Sequence, residues 1–289
     1  MSRNVLKSIH ELIQKSNTPP TPKRQIDNSE AKSIVNDKKP IRQELPIELV
    51  FLNNLEKTIA EDNTKPNLSS TYFKPSSMSC ERNMYYTALG VGVGEVISKG
   101  DSCLSGITET GSHRHDDIQG YIEKMKDYGY KWEYVDVETY INENNLTNLQ
   151  VVKKKGHETK VLCESLNTIF LTDGIVKYSD SHFIFEFKTE DCNKWYKRSD
   201  VDEAHYDQAI AYCALFKIQS AIFVYENRNT CQKKAYLYVP SSEQIDEFNM
   251  KIKRVLGCVE TKTLPPANKT KKCKYCQYEQ YCKGDRNAD

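Results

Sequence analysis

Nowhere in the 289 residues is there an apolar run long enough to cross a bilayer. The N-terminus also lacks the short apolar core of a secretory leader, so a cytoplasmic protein is the expectation. Charge of one sign is missing too. Lysine and arginine total 41 against 40 aspartates and glutamates, a net charge of +1. That balance rules out a strongly basic overall field and leaves a local basic groove as the means of holding a polyanion. The glycines of Gly90-Val91-Gly92-Val93-Gly94 are not followed by the Lys-Ser/Thr of a phosphate loop, so they read as a turn after a helix and no ATPase motor is expected. No internal repeat is present.

What is present falls into two parts. Residues 1–45 combine one short amphipathic stretch, Asn4 to Gln14, with a polar, proline- and lysine-rich run from Ser16 to Gln43. The run has too few apolar residues to fold alone and reads as a flexible N-terminal arm. Residues 46–289 carry the periodic apolar pattern of a folded domain. Helices are expected from Pro46, over Cys80–Leu89, over Gly111–Tyr128, over Asp202–Lys217 and over Ser241–Gly257. Strands are expected over Thr159–Cys163, Thr168–Tyr178, His182–Lys188, Ala221–Tyr225 and Lys234–Val239. Helices flanking a short mixed sheet make the fold class α/β.

The stretch richest in chemistry is Leu171-Thr172-Asp173-Gly174-Ile175, followed after a turn by Ile184-Phe185-Glu186-Phe187-Lys188. Alternation along a strand puts Glu186 and Lys188 on one face and Phe185 and Phe187 on the other. A hairpin turning at Asp180-Ser181 brings Asp173 within reach of both. Two carboxylates can hold Mg²⁺ or Mn²⁺, which prefer oxygen ligands and acidify a bound water. A lysine beside them can orient that water and offset charge on a phosphate. An exposed strand face with a Glu–Lys pair is the plainer reading of the same letters.

The flanking residues add context. Gly111-Ser112-His113-Arg114-His115 opens the expected third helix, and Gln208 and Tyr212 share a helical face at i, i+4 spacing. His113, His115, Asp116 and Asp117 also suggest an HD-type phosphohydrolase, but no second His-Asp pair supports it. In order, Gly-x-x-x-His, Asp-Gly, Glu-x-Lys and Gln-x-x-x-Tyr resemble the RecB-like branch of the PD-(D/E)XK nucleases. The resemblance implies a restriction-endonuclease-like core and hydrolysis of DNA with Mg²⁺ or Mn²⁺. It implies that His115, Asp173, Glu186 and the backbone carbonyl of Phe187 bind the metal. Lys188 would assist the attacking water, while Gln208 and Tyr212 would steady the site. Thr172 stands where that family has proline, at a position that holds no metal.

Ten cysteines are many for a reducing compartment, where a clustered subset points to a metal. Cys103, Cys163, Cys192, Cys213, Cys231 and Cys258 are scattered singly and read mostly as small buried apolar residues. Cys273, Cys276 and Cys282 form a Cys-x₂-Cys-x₅-Cys array lacking one ligand, for which Cys80 is the best candidate. Spacing alone leaves zinc and iron–sulfur open. The iron–sulfur members of the RecB-like branch resemble this pattern, among them the AddB nuclease domain and the CRISPR-adaptation exonucleases. The resemblance therefore implies a [4Fe–4S] cluster joining the two ends of the core. It also implies a stand-alone exonuclease, phage or prokaryotic, acting on single strands or DNA ends, with a recombination or adaptation protein as partner. A RecB-like fold kept only for binding DNA or a protein is the alternative. Lys153–Lys155, Lys194, Lys197, Arg198, Lys271, Lys272 and Lys274 offer basic surface, and Trp195 and Tyr196 could stack on unpaired bases.

Overall fold

The computed structural model describes residues 46–64, 71–92, 101–155, 158–267, 273–274 and 276–286. The expected arm, with its helix over Asn4–Gln14, lies outside the described residues. In chain order come α1 (Ile47–Asp62), α2 (Glu81–Ala88), α3 (Ser102–Lys124), β1 (Trp132–Val135), α4 (Val137–Glu143), β2 (Gln150–Lys155), β3 (Glu158–Cys163), β4 (Thr168–Thr172), β5 (Ile175–Tyr178) and β6 (Ser181–Glu190). There follow α5 (Cys192–Lys197), α6 (Tyr206–Phe216), β7 (Ala221–Asn227), β8 (Lys233–Tyr238), α7 (Ser242–Thr261) and α8 (Glu279–Arg286). A mixed five-stranded sheet runs β1-β5-β6-β7-β8, parallel only at β6–β7, and a second, antiparallel sheet runs β2-β3-β4. None of the described helices is long and apolar enough to cross a membrane.

Alternation along β6 and β7 sorts the core into two layers. Phe185 and Phe187 pack with Val176 against Ile118 and Ile122 of α3. On the opposite face Ile184, Phe223 and Tyr225 join Ala209, Tyr212 and Phe216 of α6 in the larger core. Each fully buried aromatic or branched side chain contributes roughly 1.5–3 kcal/mol relative to exposure, so this two-sided burial fixes β6 at the centre of the molecule.

Capping explains several boundaries. Asp101 accepts from the Leu104 amide at 2.8 Å and starts α3 at Ser102, well before the Gly111 at which the sequence pattern begins it. Gly106 and Gly111 weaken the helical pattern of that first half, so the cap decides where it starts. Leu89, Gly90 and Val91 end α2 in a Schellman arrangement. In it Gly90, at φ 65°, donates to Thr87 O and Val91 donates to Tyr86 O. Ser241 and Gln244 form a reciprocal capping box that starts α7.

The expected single strand Thr168–Tyr178 is instead two strands, in different sheets, broken at Asp173-Gly174. Gly174 has φ 140°, and a Cβ there would overlap the Tyr134 ring. The Asp173 carbonyl leaves the ladder to accept from Tyr134 OH at 3.0 Å and from Gln119 Nε2 at 2.5 Å. This joint turns the Asp173 carboxylate toward β6.

The end of the described chain docks on α2. Tyr278, 1% exposed, packs on Tyr86 and shares a hydrogen bond with Thr87 Oγ1 at 3.1 Å. Arg82, also buried, donates from Nε to Pro265 O at 2.9 Å.

Candidate active site

Four elements converge where β4 hands over to β5. The β5–β6 register sets Ile175 opposite Ile184, so Asp173 comes level with Glu186. Phe185 N donates to Gly174 O at 2.9 Å, and the next amide on that edge, Phe187 N, donates to Asp173 Oδ2 at 2.8 Å. The carboxylate thus takes the place of a missing strand partner. A strand residue's N–H and C=O point to the same side, so the Phe187 carbonyl faces the same edge as Asp173.

Glu186 is 1% exposed. Its Oε2 accepts from Lys188 Nζ at 2.6 Å and from Gln208 Nε2 at 3.1 Å. Gln208 also donates to Tyr212 OH at 3.0 Å, and Tyr212 OH donates to Leu171 O at 2.6 Å. The helical face of α6 therefore ties β6 to β4 through two side chains. Glu186 Oε1 is buried with no hydrogen-bond partner, a costly state unless a cation or proton meets it.

His115 reaches the site from α3, edge-on to Phe187, while His113 is exposed. His115 Nδ1 lies 3.1 Å from Asp173 Oδ1 but is not aligned for a hydrogen bond. Ring nitrogen and oxygen therefore face the same space rather than saturating each other. Glu158 completes the group: one ligand atom each of His115, Glu158 and Asp173 lie within 4.8 Å of one another. The strand expected from sequence starts at Thr159 and leaves Glu158 out. The signal lies in the β3–β4 register, where Thr159 opposite Thr172 sets Glu158 beside Asp173.

Electrostatics separates the two buried acids. Burial would raise Asp173, but His115, the Lys188 charge and the Phe187 amide hold its carboxyl below the usual range. Burial pushes Glu186 up to about 7, with the Asp173 charge adding to it and Lys188 opposing. Burial works against a charged Lys188, yet Glu186 and Asp173 outweigh it, so the ammonium is held well above its ordinary range and is a donor, not a base. Burial likewise opposes a charged His115, and Asp173 outweighs it. The Tyr212 hydroxyl is pushed far up by burial and keeps its proton.

The other motif residues gather elsewhere. Cys80, Cys273, Cys276 and Cys282 line one pocket with Arg82, Asn83 and Tyr86. Asn83 Nδ2 lies 3.4 Å from Cys276 Sγ and Arg82 Nη1 3.9 Å from Cys282 Sγ. Among the described residues, no three of these sulfurs come within 4.8 Å of one another. Of the scattered cysteines, Cys163 and Cys213 are buried as expected, but Cys103 and Cys231 are exposed.

Expectations about the basic surface are corrected at four residues. Trp195 is 7% exposed, donates to Tyr225 O and lies under Lys234, so it is core and cannot stack on a base. Arg198 is bound by Glu190 and Asp202, as is Lys194, and Lys154 is paired with Asp136 and Glu138. Lys271 and Lys272 lie outside the described residues.

No family profile and no curated protein matches the chain. The solved structures to which it shows a likeness include three crystal structures. SSO0001 gives a TM-score of 0.40 at 15% identity, covering 83% of this chain and 97% of the other. An alkaline exonuclease from Laribacter hongkongensis, LHK-Exo, gives 0.39 at 12% identity, covering 68% and 91%. The same enzyme in complex with dAMP gives 0.36 at 11%, covering 72% and 94%. The likeness is distant. A His/Glu/Asp site able to take a divalent metal and a mixed sheet flanked by helices stand on this chain's own geometry.

Proposed function

We propose that the protein is a metal-dependent deoxyribonuclease of the PD-(D/E)XK type, acting as an exonuclease on single strands or ends. The observation that carries this is buried Asp173 grouped with His115 and Glu158, level with buried Glu186 and its partner Lys188 on the next strand. A pure binding module has no use for two buried carboxylates whose desolvation is costly. The donor set fits Mg²⁺ or Mn²⁺: Asp173, Glu158, Glu186 Oε1, the Phe187 carbonyl and His115 would hold it. A divalent cation there supplies Lewis-acid charge and an acidified water. Lys188, kept protonated beside Glu186, donates to the attacking water or to a phosphate oxygen. Gln208 and Tyr212 fix Glu186 and the Leu171 carbonyl, which keeps β4 and β6 in register while a substrate is bound.

The four cysteines would hold a [4Fe–4S] cluster. Their common pocket and the N–H donors of Asn83 and Arg82 beside two of the sulfurs suit a negatively charged thiolate cluster. Zinc, bound by thiolates at about 2.3 Å, would use the same four ligands and is the alternative. The cluster's role would be a clip between α2 and the C-terminal segment.

Cleavage of end-labelled and circular single-stranded DNA, with Mn²⁺ and with EDTA, tests the activity and separates end from internal cutting. Asp173→Ala and Lys188→Ala are expected to abolish cleavage while keeping the native circular dichroism spectrum. Wild-type rates in either variant would remove the site from the reaction.

A further inference from the structure

Beside the acidic site runs a groove that the metal chemistry does not use. It has a volume of about 370 Å³ and is lined by Lys160, Ile169 and Leu171 from the smaller sheet, by Gln208 and Tyr212 of α6, and by the turn Lys74-Pro75-Ser76. Phe73, hydrogen-bonded to β4 through Asn167 O and Ile169 N, fixes that turn as the opposite wall.

Alternation along β3 buries Thr159, Val161 and Cys163 and turns Glu158, Lys160 and Leu162 outward. The register makes Lys153, Lys160 and Leu171 one row across the three strands. Glu158 and Asp173 form the next row toward the metal site. Two residues along a strand is about 6.6 Å, comparable with the step between neighbouring phosphates of an extended nucleic-acid strand. Among the described residues, neither Lys74 nor Lys160 has a carboxylate within salt-bridge distance, unlike Lys154, Lys194 and Lys233. Adjacent Lys153 and Lys160 repel each other unless an anion lies against them. Leu171, 53% exposed one residue before Thr172, is an apolar side chain with no core to fill.

We infer that this groove is the subsite for the nucleotide next to the scissile phosphate, and that it takes a single strand. Lys160 clasps that nucleotide's phosphate from one wall and Lys74 reaches it from the other. Leu171 supports the sugar or base between them. The groove rests on the nuclease reading above, and it adds the substrate class: a volume of about 370 Å³ walled by α6 and the Lys74 turn has room for a nucleotide of a single strand and not for a duplex.

Fluorescence anisotropy of a labelled oligothymidylate on full-length Asp173→Ala protein tests this without cleavage. Adding Lys160→Ala or Lys74→Ala is expected to weaken binding roughly tenfold. Each should also lower the slope of log affinity against log salt by about 0.7, the share of one phosphate on a single strand. Leu171→Ala should weaken binding with the slope unchanged, and a blunt duplex of equal length should bind poorly to all of these proteins. In the Asp173 background, lysine variants that keep the parent's affinity and slope overturn the groove. If wild-type protein still cleaves in that case, the nuclease reading stands without it. A parent that binds no single strand, with a wild type that cuts none, overturns both.

Discussion

Lowering the pH from 8 to 6 at fixed Mn²⁺ reads the acidic site most directly. Glu186 is pushed up to about 7, so it is mostly ionised at pH 8 and mostly protonated at pH 6. Its ligand oxygen must lose the proton to bind a cation, which weakens the apparent affinity about tenfold across that interval. His115, also held above its ordinary value of 6.5, adds to the loss in the same direction. Without metal the sign for stability reverses. A carboxyl raised above its unfolded value of 4.5 contributes stability that is complete below 4.5 and lost as the pH rises through 7. The metal-free protein should therefore melt lower at pH 8 than at pH 5, by a contribution on the order of 3 kcal/mol from Glu186. Asp173 is shifted the other way, but its window lies below 3.8 and does not enter. Calorimetric titration with Mn²⁺ in buffers of different ionisation enthalpy counts the protons released, and thermal melts read the stability. Equal affinity at pH 6 and 8 with no proton release, or the same melting slope in Glu186→Gln, would refute the reasoning.

Three further outcomes follow from particular contacts. His115→Ala should lose Mn²⁺-dependent stabilisation and cleavage while His113→Ala keeps both, because only His115 faces Asp173; the reverse pattern, read by melting with and without metal, would mean the wrong face of α3 was assigned. Replacing Cys80, Cys273, Cys276 or Cys282 by serine should remove a broad absorbance near about 400 nm from anaerobically purified protein, whereas Cys163→Ser and Cys213→Ser should retain it; one zinc per chain without sulfide would replace the cluster by zinc. Arg198→Ala should cost about 3 kcal/mol, because it strips a bidentate partner from Glu190, 4% exposed, and a cation from the Tyr225 ring. Lys194 still reaches Glu190 at 3.2 Å, which keeps the loss at the low end, and a melting temperature within a degree of wild type would contradict it.

The parts of this molecule legible in its sequence are those set by local periodicity. Alternation separated Glu186 and Lys188 from Phe185 and Phe187, and a turn expected at Asp180-Ser181, one residue later than the Ser179-Asp180 turn observed, still brought Asp173 near Glu186. The i, i+4 spacing put Gln208 and Tyr212 on one face of α6. Non-local facts were hidden. Glu158 joins the site only through the β3–β4 register, and nothing in its immediate neighbours marks it. The break at Gly174 was masked because apolar residues continue on both sides of it; the Tyr134 and Gln119 side chains that pull the Asp173 carbonyl aside come from far away in the chain. The basic run around Arg198 looked like free positive surface because its partners, Glu190 and Asp202, are only visible once the strand end folds over them.

The docking of Tyr278 onto α2 has a consequence for the order in which the chain is made. Helix Glu81–Ala88 leaves the ribosome early, but the residues that cover Tyr86 and Thr87 come nearly two hundred positions later. Until then its aromatic side chains have only the earlier core to pack against, and closing so long a loop carries an entropic cost that local helix formation does not repay. The Asp173–Glu186 hairpin, by contrast, closes within a few residues of its own synthesis. A nascent chain stopped before Tyr278 would thus present an assembled set of acids on a body whose helix α2 still exposes an adhesive tyrosine surface, the kind of intermediate on which chaperones and proteases act.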